Sequence, residues 1–209
     1  MQKRLWYTIC LLDLKTSFDQ ASEPLITPES PQSRMLKSVN DAKFEPKFDD
    51  DLLDREGLTD MTFTLIIYCA QANGKILDFI PTGETAKSPC NWEARQGYVG
   101  NFEQKTKLLQ NCEPSASPYA WLAFHGSQAM VAAMKLSALR LLHRAGSGAP
   151  PRVQGSTHLL ELSASVLGET YLIRTDPRGK SFRWYVVLQW HAFAIAIAIE
   201  SATRVMMLR

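Results

Sequence analysis

No proline interrupts residues 119–144, and alanine, leucine and methionine, all strong helix formers, dominate the stretch. This is the clearest helix in the chain. Met130, Met134, Ser137 or Ala138, and Leu141 recur at helical spacing and mark its packing face. Lys135, Arg140, His143 and Arg144 place positive charge toward its C-terminal end, where the helix macrodipole favours cations. Gly146, Gly148, Pro150 and Pro151 then stop it. A helix of this kind needs others to cover its apolar stripe, and the rest of the sequence supplies them.

At the start, residues 2–14 suit a helix with Leu5, Ile9 and Leu12 on one face and Trp6 widening it; Asp13 and Asp19 end the apolar run. This helix begins with a basic pair, Lys3 and Arg4, and lacks a start signal, so the chain reads as if a larger protein were entered partway through. Residues 21–58 carry Pro24, Pro28, Pro31 and Pro46 and predict a long irregular connection, because proline lacks the amide hydrogen that both helix and sheet require. Thr59 suits a helix cap and Asp60 the first turn of a helix over 60–71, with Phe63, Ile66, Ile67 and Ala70 as its stripe. The β-rich run Thr62–Tyr68 leaves a strand open on propensity alone. Asn73-Gly74-Lys75 reads as a turn and residues 80–90 as a loop.

A polar helix follows at 91–112, with Trp92, Phe102, Leu108 and Leu109 as its sparse apolar contacts, and another at 156–173, with Leu159, Leu160, Leu162, Val166 and Leu167. Asp176-Pro177-Arg178-Gly179 has the composition of a turn. A last helix at 181–203 holds an apolar run from Trp184 to Ile199, broken by Gln189 and His191 and met at once by Glu200. A membrane span needs roughly twenty apolar residues with few polar ones, so the run reads as a buried helix, despite an Ala/Ile alternation that is strand-like. The fold expected is therefore all-α: an irregular multi-helix domain with a long acidic, proline-rich connecting loop, and an incomplete one.

The formal net charge of the 209 residues is +2, which implies no general affinity for nucleic acid or acidic surfaces. Residues 41–60 are locally acidic, with eight acids against three bases, and read as a solvated loop. Cys10, Cys69, Cys90 and Cys112 form no C-x-x-C pair and match no zinc spacing. Cys10 and Cys69 lie in apolar runs as buried thiols, which fits a reducing compartment.

The familiar chemical motifs are missing. His125, His143, His158 and His191 are scattered, with no His-x-x-x-His pair; His191, on the most apolar helix, reads as a hydrogen-bonded core histidine. His125-Gly126-Ser127 superficially resembles a hydrolase nucleophile turn, but His125 and Ala129 occupy the positions that G-x-S-x-G gives to glycine. Asn73-Gly74-Lys75 is no phosphate loop, and Asp49-Asp50-Asp51 lacks the glycine and spaced ligands of a calcium loop. No catalytic, cofactor-binding, metal-binding or DNA-binding residue is assigned in this chain, and no enzyme activity is expected.

Five segments, in order, resemble the fungal-specific transcription factor domain, the helical regulatory region downstream of a zinc binuclear cluster. They are Arg4-Leu5-Trp6-Tyr7 through Leu12-Asp13; Asp49-Asp50-Asp51-Leu52 through Arg55-Glu56-Gly57-Leu58-Thr59-Asp60-Met61-Thr62-Phe63; Gln104 through Cys112-Glu113-Pro114; Met134-Lys135-Leu136 through Leu142-His143-Arg144; and Trp184 through Gln189-Trp190-His191-Ala192. Tyr7 stands where the family often has a second tryptophan. No six-cysteine run is present, so zinc is expected only in an N-terminal cluster that this chain lacks.

The resemblance implies that residues 1–209 are the C-terminal part of such a regulatory domain. It would sit in a nuclear regulator of RNA polymerase II transcription, with a secondary-metabolite gene cluster as a target class. DNA would be reached through the missing module or a full-length partner. Homo- or heterodimer contacts and a small-molecule effector are the partners such a domain implies. The alternatives are a stand-alone helical module that binds protein or effector without touching DNA, and a membrane protein anchored through 184–199. Trp6, Trp121, Trp184 and Trp190 are read as packing residues, with an effector pocket as the other reading.

Overall fold

The computed structural model describes residues 2–20, 25–26, 38, 40, 57–78, 92–111, 113–145 and 156–183. Those residues form α1 (Gln2–Gln20), α2 (Thr62–Asp78), α3 (Trp92–Gln110), α4 (Pro118–Ala145), α5 (Ser156–Thr175) and a short 3-10 helix at Pro177–Phe182. No strand occurs among them, so the all-α expectation holds and the β-rich Thr62–Tyr68 run is helical. Most of 21–58, all of 80–90 and 146–155, and everything from Trp184 onward lie outside the described residues; so do the apolar run 184–199, His191 and the acidic triplet at 49–51. Of the expected last helix only residues 181–183 are described, and Ser181 and Phe182 belong to the 3-10 helix.

Helix α4 is the axis of the packing. It touches α2, α3, α5 and the 3-10 helix, whereas α1 packs on α2 alone among the described elements. The main core joins Phe63, Ile66, Ile67, Cys69, Ala70 and Leu77 of α2 to Phe102 of α3, Trp121, Leu122, Met130 and Met134 of α4, and Ile173 of α5. A second cluster places Ala132, Ala133 and Leu136 of α4 against Val166 of α5. Ser137 and Ala138 are both buried, so the expected α4 stripe is correct as far as its side chains are described.

The ends of these helices are set locally. Ser117 precedes α4; its Oγ accepts from the Ala120 amide at 3.0 Å, and Pro118 fills the first helical position, where a missing amide hydrogen does no harm. At the start of α2, the Thr62 hydroxyl reaches back to accept from the Thr59 amide at 2.8 Å, the back-bonding half of a capping box, while the Thr62 amide donates to the Thr59 carbonyl at 3.0 Å. Gly57 has φ of +91°, a left-handed turn that only glycine takes freely, and leads into this cap. Tyr119 of α4 closes the corner: its hydroxyl donates to the Asp60 carbonyl at 3.0 Å and accepts from the Phe63 amide at 3.2 Å.

Three local expectations are corrected. Asn73-Gly74-Lys75 is not a turn but lies within α2. The Asn73 side chain donates to the Cys69 carbonyl of its own helix at 2.8 Å, Gly74 is buried, and Leu77 in the next turn has no exposure, so core packing carries the helix past a turn-forming triplet. The first helix, expected over 2–14, continues past Asp13 to Gln20. Asp13 instead folds the following chain back, its two carboxylate oxygens accepting from the Leu25 and Ile26 amides at 3.1 and 3.0 Å. Asp176-Pro177-Arg178-Gly179 is the start of the 3-10 helix rather than an isolated turn.

Candidate functional site

Sequence reasoning singled out His125-Gly126-Ser127, and each of the three has a packing or hydrogen-bonding role inside α4. His125 Nδ1 lies 2.7 Å from Glu169 Oε2, which ties α4 to α5. Gly126 sits under the Phe63 ring of α2; a Cβ there would come within 2.5 Å of the ring edge, so glycine is what lets the two helices approach. Ser127 Oγ donates to the Phe124 carbonyl at 2.7 Å.

The His125 ring also packs on Trp121, with centroids 4.7 Å apart, and meets Phe124 edge-on at 5.2 Å. Trp121 is 1% exposed, and the guanidinium of Arg178 lies 4.8 Å from the centroid of its ring. Gly179 completes the corner: a Cβ there would collide with the Ile173 carbonyl oxygen and crowd the Trp121 ring. Trp121, His125, Glu169, Arg178 and Gly179 thus form one junction that locks α4, α5 and the 3-10 helix. The sequence flagged Trp121 as packing, and that is its place; Trp6, read the same way, is half-exposed on α1 and packs in no described core.

Asp176 anchors the junction. Its carboxylate accepts from the Arg178 amide at 2.8 Å, from Arg178 Nε at 3.0 Å and from Arg178 Nη2 at 2.8 Å. Hydrogen bonds from the Arg178 side chain and then its amide hold the Asp176 carboxyl down at about 2, from an ordinary value of 3.8, against the opposing effect of desolvation. A carboxyl depressed by folding stabilises the fold above its unfolded value, and that contribution disappears as pH falls through the folded value. Asp176→Asn should therefore flatten the acid limb of the stability curve between about pH 4 and about pH 2, measured by urea midpoints across that range.

His125 and Glu169 give a second local test. Both side chains are mostly covered, so water competes less for this hydrogen bond than for one at the surface. A double-mutant cycle of His125→Ala and Glu169→Ala should return a coupling of about 1–2 kcal/mol in unfolding free energy. A coupling indistinguishable from zero would make the contact incidental.

A second polar centre was missed by sequence reasoning. Arg95 of α3 is almost fully buried and donates through Nη2 to the Leu77 carbonyl at 2.6 Å and the Ser137 carbonyl at 2.8 Å, and through Nε to the Ala138 carbonyl at 2.8 Å. It pins the last turn of α2 to the middle of α4. Nothing in the local sequence distinguishes it from the other basic side chains of α3. Leu108, by contrast, was expected to pack and is exposed, because Phe102 and Val99 occupy the inward face of α3.

Both centres are hydrogen-bond and packing devices. Among the described residues no group of three or more His, Cys, Asp or Glu side chains could hold a metal ion, and no helix is long and apolar enough to cross a membrane. Burial pushes the Cys69 thiol upward, with Lys105 pulling weakly the other way, so it is held as a protonated core thiol. Cys10 is half-buried rather than buried. On the surface of α1, Leu5, Trp6, Ile9 and Leu12 are all exposed.

The chain has relatives along nearly its whole length. It is 45% identical over 210 residues to the C6 finger domain transcription factor nscR of Aspergillus fumigatus, covering 94% of this chain and 27% of that protein. It is 41% identical over 221 residues to adaR of Aspergillus niger, another C6 finger domain transcription factor, covering 95% of this chain and 28% of the relative. A nscR protein of Trichophyton rubrum is 44% identical over 204 residues, covering 95% and 29%. No family model and no solved structure matches the chain. The chain is therefore homologous to one region of fungal C6 finger domain transcription factors, and it spans less than a third of the length of these relatives.

Proposed function

We propose that this chain is a regulatory region of a fungal zinc-cluster transcription regulator, working in the nucleus on RNA polymerase II transcription, with genes of a secondary-metabolite cluster as its target class. The observation that carries this reading is identity of 41–45% to C6 finger domain transcription factors across 94–95% of the chain. The structure is compatible with it: the polar clusters of the helical body are spent on joining helices, which suits a domain that acts through changing contacts rather than through chemistry on a substrate. In this reading the chain is not an enzyme and holds no zinc; contact with DNA belongs to a six-cysteine module on a longer chain or on a full-length partner. A dimer partner and a small-molecule effector remain part of the proposal through the resemblance of the sequence to the regulatory domain.

The test is a domain exchange. The matched region of the Aspergillus fumigatus relative is replaced by this chain, and transcription from a reporter under a promoter of that relative is measured. Regulated transcription close to that given by the relative's own region is expected. A silent reporter, with the exchanged protein present at normal levels in the nucleus, would sink the reading. The chain alone should not retard a DNA duplex sequence-specifically at physiological salt, since no basic helix or arm is evident in its sequence. Specific retardation by the purified 209 residues would reassign DNA contact to this region.

A further inference from the structure

Helix α1 is apolar on two opposite sides. One side docks on α2: Leu14 and Ser17 are buried, Leu11 packs on the core, Tyr7 stacks on Tyr68 with centroids 5.0 Å apart, and the Thr8 and Tyr68 hydroxyls are 3.1 Å apart. The other side presents Leu5, Trp6, Ile9 and Leu12, exposed by 62, 51, 42 and 55%. A helix at the surface of a globular protein ordinarily shows one apolar stripe, and a helix apolar around its circumference is an interior one. Beside this face, the Asp13 carboxylate fixes the backbone of Leu25, whose side chain is 90% exposed.

The extent of the face indicates what covers it. The four side chains together offer on the order of 400 Å² of exposed surface, about half of the ~800 Å² per partner that a stable interface between separate proteins buries. A face of that size is sufficient where the partner surface belongs to the same polypeptide and is present at high effective concentration. In the curated relatives more than two-thirds of the chain lies outside the region matched here. We propose that the Leu5–Trp6–Ile9–Leu12 face is an intrachain interface, packing α1 against an apolar helical surface in the remainder of a full-length protein of this kind. The inference rests on the regulatory reading above only in requiring that remainder. It makes α1 a middle layer, held by α2 on one side and by the rest of the molecule on the other.

The experiment uses the exchanged Aspergillus fumigatus protein with a photo-cross-linking amino acid at position 9. Cross-links within one polypeptide to residues outside the matched region are expected. Cross-links confined to this chain's own residues, cross-links to a second copy, or none at all would each overturn the interface. A second measurement uses the 209-residue chain itself. Leu5→Gln combined with Ile9→Gln should lower binding of an apolar fluorescent dye at least about twofold and leave the melting midpoint within about 2 °C, as for an exposed site. A fall in midpoint as large as that of Leu14→Ala would show the face already covered and overturn the proposal. Reporter output separates the two ideas: an active reporter without outside cross-links removes the interface alone, and a silent one with them removes the regulatory reading alone.

Discussion

Arg95→Ala is expected to lower the unfolding free energy by about 3–5 kcal/mol, a large share of the stability of a domain this size. The side chain is 1% exposed and sits where α2, α3 and α4 meet. Its truncation leaves a cavity the size of a guanidinium and its stem, and the helices around it close only partly. It also takes the donor from the Leu77 carbonyl in the last described turn of α2, and carbonyls in a last turn ordinarily look outside the helix for a donor. The positive charge faces the negative end of that helix, so the macrodipole term is lost as well. Ser137 and Ala138 lie within α4, where their carbonyls already serve helical amides, and their loss weighs less. Arg95→Met separates these effects: it keeps most of the volume, discards the donors and the buried charge, and should cost about half as much. Urea denaturation followed by helical circular dichroism measures both. A loss below about 1 kcal/mol for the alanine variant would mean that the three helices hold without the guanidinium.

What the sequence revealed, and what it hid, divides along the distinction between local and tertiary forces. The expected helices 119–144 and 156–173 are observed as Pro118–Ala145 and Ser156–Thr175, because composition and terminal signals agreed with packing there. The stripe Phe63, Ile66, Ile67 and Ala70 is buried as its spacing implied. Errors arose where a local signal was overruled from a distance. Asn73-Gly74 is a turn dipeptide on propensity, yet Leu77 draws one more turn of α2 into the core. Asp13 interrupts an apolar pattern without interrupting a helix, since its carboxylate has backbone amides to accept from twelve and thirteen residues later.

The polar junctions were the least legible part. His125, Glu169, Asp176 and Arg178 span more than fifty positions, and only the packing of α5 on α4 brings them to one place. Arg95 reads as a surface cation because arginine is rarely buried, and three of its partners are backbone carbonyls, which carry no side-chain signature. The exposed side of α1 was the opposite case. Leu5, Ile9 and Leu12 were visible as a stripe. The structure adds that α2 contacts the other side, which a single stripe in the sequence did not specify.

Trp121→Ala should cost about 3–5 kcal/mol as a core truncation, but its distinguishing effect is where the loss appears. The indole lies at the junction of three elements: the His125 ring packs on it from its own helix, Arg178 lies over its ring, and Gly179 stands where a Cβ would just touch the ring edge. The 3-10 helix is also held through Phe182, which packs on the core with its ring 6.2 Å from that of Tyr119. Its first turn is held by the Gly179 amide to the Asp176 carbonyl at 3.1 Å and by Asp176 to the end of α5, where its amide donates to the Leu172 carbonyl at 2.9 Å. Removing the indole takes away the surface on which that turn rests, while the Phe63–Gly126 and Arg95 contacts between α2, α3 and α4 stay in place. Amide hydrogen exchange should therefore show residues 178–182 losing protection well before α2 and α4 do, as a local opening rather than a global one. Trp121→Phe keeps a ring against His125 and Gly179 and should restore most of that protection. If exchange instead rises uniformly across all helices in the alanine variant, the corner opens only with the rest of the core and has no independent existence.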